Sequence, residues 1–365
     1  MTPLPAALWL TPWAAPRIAR CAALLISAAP VLAQEVQEAS STSSAEPSDD
    51  PNAGLTIVDV LGRLPEPLTP DTIMAATYQG GDLPAWPSPL TVKVQVLLDQ
   101  AGISPGVIDG VKGGMSESAL RAYELREGLP VDGVLDPDVW TRLSAAAPLP
   151  VLGLYTVTAE DASNLTPEIP EDYAEKALLP ALGYQRTTER LAELFHMDED
   201  FLLALNPGAG FAAGETVVVA NVGLPVEAEV AFIEVRKGSG RLAAFDAAGT
   251  MVANYPVTVG SPDTPLPVGT VEVVAVAFDP TYHYNPENFV QGENTEPLTL
   301  PAGPNGPVGS IWIDLSVPTY GLHGTPNPAS LFTAQSHGCV RLTNWDAEEL
   351  AHMVSAGTVV EFTEG

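Results

Sequence analysis

Tyr320-Gly321-Leu322-His323-Gly324-Thr325, followed by Ser336-His337-Gly338-Cys339-Val340-Arg341-Leu342, is the stretch from which the C-terminal part of this chain is read. Cys339 is one of only two cysteines, and four of the five histidines (His283, His323, His337 and His352) fall in the same region. A thiol near neutrality is only partly ionised, so a nucleophilic cysteine needs a base or a positive field beside it. His337 stands two residues before Cys339 and in an extended strand would share its face. His323 lies 16 residues upstream of Cys339, beyond the Gly- and Pro-containing loop 324–328, which can bring the chain back beside the thiol. Gly338 can bend the backbone so that N–H groups converge on the carbonyl under attack. From Leu242 to Gly365 the only Lys or Arg is Arg341, against thirteen acids. A lone cation two residues from a thiol is suited to a substrate carboxylate, although an internal ion pair would use it equally well.

Around that stretch, residues 229–365 are rich in Val, Thr and Gly, with alternation in 230–235, 252–259 and 270–278 that predicts strands. A terminal helix over 345–353, capped by Thr343 or Asn344 and closed by Gly357, precedes a last strand at 358–362. The region is mainly β. A zinc site built from His323, His337, Cys339 and an acid lacks any His-x-x-x-His or acidic helper motif, so thiol chemistry without a metal is expected.

The two quoted segments resemble the active-site signature of the YkuD-type L,D-transpeptidases. Pro265-Leu266-Pro267-Val268-Gly269-Thr270 is similar to the turn that precedes a strand in that family, with Val271 where an aromatic is common. The resemblance implies that Cys339 is the nucleophile and His323 its base. It further implies that backbone N–H groups at Gly338 and Cys339 hold the oxyanion, and that the Gly324 carbonyl orients the His323 ring. Ser336 and His337 then shape the loop, Arg341 meets a stem-peptide carboxylate, and His283 and His352 are ordinary surface or packing residues. The implied reaction is acyl transfer from a peptidoglycan tetrapeptide stem at the third-position diamino acid. D-Ala is released, and a 3-3 cross-link forms or a protein, such as an outer-membrane protein, is attached. No cofactor is required, and acylation by carbapenem β-lactams is expected. An L,D-carboxypeptidase or endopeptidase of the same fold and a non-catalytic wall-binding protein are the alternatives.

Upstream, Val94, Leu97 and Leu98, then Ala119, Leu120, Tyr123 and Leu125, then Val139, Trp140 and Leu143 form three helical stripes. Two Asp-Gly turns, Asp109-Gly110 and Asp132-Gly133, frame the middle helix. This unit, 90–145, resembles the peptidoglycan-binding type 1 module. In 150–225, a strand at 155–158, helices capped by Thr187 or Thr188 and by Asp198, and a strand at 216–219 give the order β-α-α-β. That order resembles a LysM glycan-binding repeat, interrupted by an insertion over 160–180.

The whole is read as a multidomain α+β protein: a mainly-β catalytic domain preceded by a small three-helix module and a β-α-α-β unit. Residues 1–33 contain no acid; Arg17 and Arg20 precede an apolar run from Cys21 to Leu32, and Val31-Leu32-Ala33 fits a signal-peptide cut after Ala33. Export to the periplasm or cell wall is expected, with the segment either cleaved or kept as an anchor. Residues 34–89 read as a disordered or irregular linker. The 36 prolines and 31 glycines exclude a plain helical bundle, and a formal charge of −30 excludes nucleic acid as a partner.

Overall fold

The computed structural model describes residues 66–147, 149–260, 269–286, 294–332 and 339–364. The leader in 1–33, the polar stretch 34–65 and most of the 265–270 turn lie outside the described residues. Residues 66–89 differ from the expected irregular linker. They contain helix α1 (Pro70–Ala75), whose start is closed by a reciprocal capping box between Thr69 and Thr72, with Pro70 in the first turn. Leu68, Ile73 and Leu83 are buried in the adjoining core. So short a helix carries too few apolar residues to show a period, which is why the sequence did not reveal it.

Helices α2 (Pro89–Gln100), α3 (Gly114–Glu127) and α4 (Pro137–Ala145) form the three-helix unit. The two Asp-Gly turns are held alike. Gln95 Oε1 accepts from the N–H groups of Asp109 and Gly110, at 3.2 and 2.8 Å, and Glu124 Oε2 accepts from those of Asp132 and Gly133, both at 2.8 Å. Leu125 is the exception in its stripe: two residues from buried Tyr123, it turns to solvent.

Next come β1 (Leu152–Thr156), a short α5 (Tyr173–Lys176) within the insertion, α6 (Thr187–Leu194), α7 (Glu199–Leu205) and β2 (Thr216–Ala220). The two strands pair antiparallel, giving strand, helix, helix, strand. Asp198 caps α7 by accepting from Phe201 N–H at 2.9 Å. Neither Thr187 nor Thr188 caps α6; Arg186 occupies the N-cap without a side-chain bond, and the Thr188 hydroxyl donates to Glu199 instead. The helical unit and this one share a single apolar core running from Leu68 to Ala220.

The C-terminal region is an eight-stranded sheet made from β3 (Phe232–Arg236), β4 (Arg241–Phe245), β5 (Met251–Pro256), β6 (Gly269–Phe278), β9 (Ile311–Leu315), β10 (Gly321–His323), β11 (Val340–Arg341) and β12 (Val359–Thr363). The order is β11-β10-β9-β6-β12-β3-β4-β5, with β7 (Tyr282–Tyr284) and β8 (Leu298–Leu300) forming a separate hairpin. The sheet curls until its ends meet. Thr258, just past β5, and Arg341 of β11 exchange N–H···O bonds of 3.0 and 2.9 Å, which removes an exposed edge. Helix α8 (Asn344–Met353), capped by Thr343, covers the core.

The other edge is covered as well. Residues 102–104 lie parallel to β5, with Ser104 N–H donating to Asn254 O and Asn254 N–H to Gly102 O, each at 2.9 Å. The buried Arg241 guanidinium locks this seam through Asn254 Oδ1 (2.6 Å), Asn254 O (2.9 Å) and Ser104 O (2.9 Å). Nearby, His196 pairs with Asp99 at 3.0 Å and stacks on Trp345 at 5.2 Å, so each of the three units supplies one partner. Glu193 of α6 accepts from Asn344 Nδ2 at 3.0 and 3.1 Å.

These seams carry a pH signature. Burial pushes the Asp346 carboxyl up to about 7 and that of Glu193 up to about 8. The folded state therefore holds their protons to higher pH than the unfolded chain does. The associated stability is complete below the ordinary carboxyl range and is lost as pH rises through the folded values. Melting temperature is expected to fall between pH 5 and 8, by on the order of 5 °C, and the double variant Asp346→Asn/Glu193→Gln should flatten the slope. A slope unchanged in the double variant would exclude these two groups as its source.

Candidate active site

Strands β10 and β11 run parallel, with Leu322 beside Val340 and His323 beside Arg341; on the other side His323 stands opposite Trp312 of β9. Neighbours across a sheet point to the same face, and successive residues alternate. Leu322, Val340 and Ile313 therefore enter the sheet core, while His323, Arg341 and Trp312 share the opposite face. Cys339, two residues before Arg341, joins that face. Standard strand spacings place its Cα roughly 8 Å from that of His323, a distance two side chains can bridge.

His323 and Cys339 are both buried. Nδ1 of His323 lies 2.7 Å from the Gly324 carbonyl, which can only accept, so Nδ1 carries the hydrogen and the neutral ring keeps its lone pair on Nε2. Burial first, and the Arg341 charge second, lower the His323 pKa to about 3. The resting ring is thus an uncharged base. The Cys339 thiol donates to the Thr319 carbonyl at 3.6 Å, and Thr319 holds a left-handed backbone at φ 74° to present it.

Trp312, not anticipated from the sequence, stacks on the His323 ring with centroids 5.7 Å apart and planes 20° apart. Its signal lay in the alternation Ile311-Trp312-Ile313, which turns the indole away from the core. The indole also explains Gly321, where a Cβ would come within 2.5 Å of the ring. Beside Cys339 and Trp312, a third apolar cluster gathers Tyr282, Tyr284 and Leu300 from the β7–β8 hairpin with Leu182, which follows the insertion. The hairpin is tied to the insertion: Tyr173 meets Tyr284 edge to face at 5.2 Å, and Leu182 N–H donates to Ala302 O at 2.9 Å.

The structure thus brings His323, Gly324, Cys339 and Arg341 together. Ser336, His337 and Gly338 lie outside the described residues. His283 and His352 are exposed; His283 pairs with the Thr299 hydroxyl at 3.1 Å, and His352 lies against Phe278. Among the described residues no group of three or more His, Cys, Asp or Glu could hold a metal ion, and no helix is long and apolar enough to cross a membrane.

The family model of the YkuD L,D-transpeptidase catalytic domain matches residues 231–362. A Bacillus licheniformis protein provisionally named L,D-transpeptidase YkuD is 31% identical over 184 residues, covering 48% of this chain and 93% of that protein. Its Bacillus subtilis counterpart, named in the same way, is 32% identical over 177 residues, covering 48% and 92%. The chain belongs to the L,D-transpeptidase family. A second family model, provisionally described as a peptidoglycan binding domain, matches residues 88–143. Among solved structures, an L,D-transpeptidase from Xylanimonas cellulosilytica overlaps 79% of this chain and 97% of its own at 15% identity and a TM-score of 0.35. As in other members of the family, the chemistry is acyl transfer through a cysteine.

Proposed function

We propose that this enzyme acts on peptidoglycan stem peptides, with Cys339 as nucleophile, His323 as base and Arg341 as the anchor for a stem carboxylate. The observation that carries the reading is the shared face of His323 and Cys339 on adjacent strands, with the ring fixed by Gly324 so that Nε2 is the open nitrogen. Cys339 Sγ attacks the carbonyl carbon at the L-centre of the third-position diamino acid while its proton passes to His323 Nε2. The C–N bond to the terminal D-Ala breaks, and that proton leaves on the D-Ala amine. The remaining thioester is opened by an acceptor amine, whose proton returns through His323 to the sulfur. Backbone N–H groups at Gly338 and Cys339 are the oxyanion donors this requires. The 88–143 and 152–220 units would hold the enzyme on the wall, the latter by a LysM-like grip on glycan. Export by the N-terminal segment, and acylation of Cys339 by β-lactams, follow from the same reading.

Incubating the protein with a disaccharide tetrapeptide and analysing products by mass spectrometry tests it. Dimers lacking one D-Ala are expected, and a candidate outer-membrane acceptor protein can be added in a parallel arm. Tripeptide alone would show water to be the acceptor and assign a carboxypeptidase.

A further inference from the structure

Asn344 occupies an unusual place. Its side chain is buried at the first turn of α8 and meets three segments distant from one another in sequence. One set of N–H contacts goes to both carboxyl oxygens of Glu193 (3.0 and 3.1 Å) and another to Pro304 O (3.1 Å), while Oδ1 accepts from Ser310 N–H at 3.3 Å. The same Oδ1 presses on Gly324 and Gly309 so closely that a Cβ would meet it at 2.2 and 2.0 Å, respectively. Gly324 is the residue whose carbonyl fixes His323 Nδ1. Asn344 thus backs the peptide that orients the ring, and what holds its outer end is a carboxyl from the middle unit rather than from the catalytic sheet.

We propose that Glu193 is a positioning residue for acyl transfer, acting through Asn344 and Gly324 to fix the tautomer and direction of the His323 ring. The middle unit is then part of the catalytic apparatus and not only a wall-binding spacer. Glu193 is itself well held: the Tyr184 hydroxyl donates to Oε2 at 3.2 Å, and α6 packs against α8. Burial, with Glu189 and Glu348 adding repulsion, keeps the carboxyl largely protonated at neutral pH, so glutamine is its closest replacement. A displaced base slows proton transfer without weakening substrate contacts elsewhere in the cleft, so the effect belongs in kcat.

This assignment rests on His323 acting as the base, and its test separates the two. Full-length wild type, Glu193→Ala, Glu193→Gln, Asn344→Ala and the Glu193→Ala/Asn344→Ala double variant are compared by steady-state kinetics on the tetrapeptide. The imidazole nitrogens are followed in parallel by NMR of 15N-histidine protein. Glu193→Ala is expected to lower kcat by about 10- to 100-fold with KM within about twofold, and to convert the single Nδ1–H tautomer of His323 into a mixture. Glu193→Gln should keep at least half of kcat and the wild-type spectrum, and the double variant should be no worse than Asn344→Ala alone. An unchanged imidazole spectrum in Glu193→Ala, equal damage from Glu193→Gln, or losses that multiply in the double variant would each overturn the proposal. An inactive wild type would defeat the transpeptidase reading instead, and the imidazole spectra would still decide the role of Glu193.

Discussion

Cys339→Ala is expected to lower acyl transfer by at least roughly 10³-fold, because Cys339 is the only cysteine among the described residues and a hydroxyl is a far weaker nucleophile than a thiol. The intact-protein mass shift that a carbapenem produces should vanish with it. Binding to insoluble peptidoglycan should persist, since the 88–143 unit matches a peptidoglycan binding family and stands apart from the thiol. The thiol is buried and hydrogen-bonds to a backbone carbonyl, and alanine introduces no charge in its place, so the variant should fold. Dimer formation by Cys339→Ala would refute the assignment of the nucleophile. Dimers lost together with wall binding would point to a folding defect, which circular dichroism would reveal.

Arg241→Ala is expected to cost about 3 kcal/mol of stability, read as a lower denaturant midpoint. The guanidinium is fully buried, and its pKa is pulled down to about 9 by that burial. It persists there because the Asn254 side chain and two carbonyls, of Asn254 and Ser104, have their donors in it. Truncation strands those acceptors in a seam that water does not reach. The same seam carries residues 102–104 of the helical unit on the edge of β5, so loosening should expose the loop after α2, near Gly102, to protease before global unfolding. Arg241→Lys keeps the charge but not the three-way fork and should fall between. A midpoint within 1 kcal/mol of wild type in Arg241→Ala would show that the seam is held by apolar packing alone.

Strands with one buried and one more open face were legible: in β3 the alternation of Ile233 and Val235 with half-buried neighbours matches its burial. Strand β4 was not, because four of its five residues are buried and Ala243 and Ala244 give no polar and apolar rhythm. The two- and three-residue strands β7, β8, β10 and β11 are shorter than any period, and only the motif they carry betrayed β10 and β11. The insertion at 160–180, which read as an interruption of a glycan-binding repeat, serves in the structure as the dock for the hairpin beside Cys339.

The sequence by itself determined which groups are candidates for reaction. A thiol, a histidine before a Gly-containing return loop and a solitary arginine are local facts, whereas the parallel pairing of β10 with β11 that sets His323 beside Arg341 is not. Only the tertiary structure decided what surrounds them. Glu193 meets Asn344 across 151 residues of chain, Ser104 meets Asp346 across 242, and Leu182 reaches the cluster that holds Cys339. Such pairings leave no period or spacing in the sequence. They exist because three units fold against one another and leave buried polar atoms that must find partners across the seams.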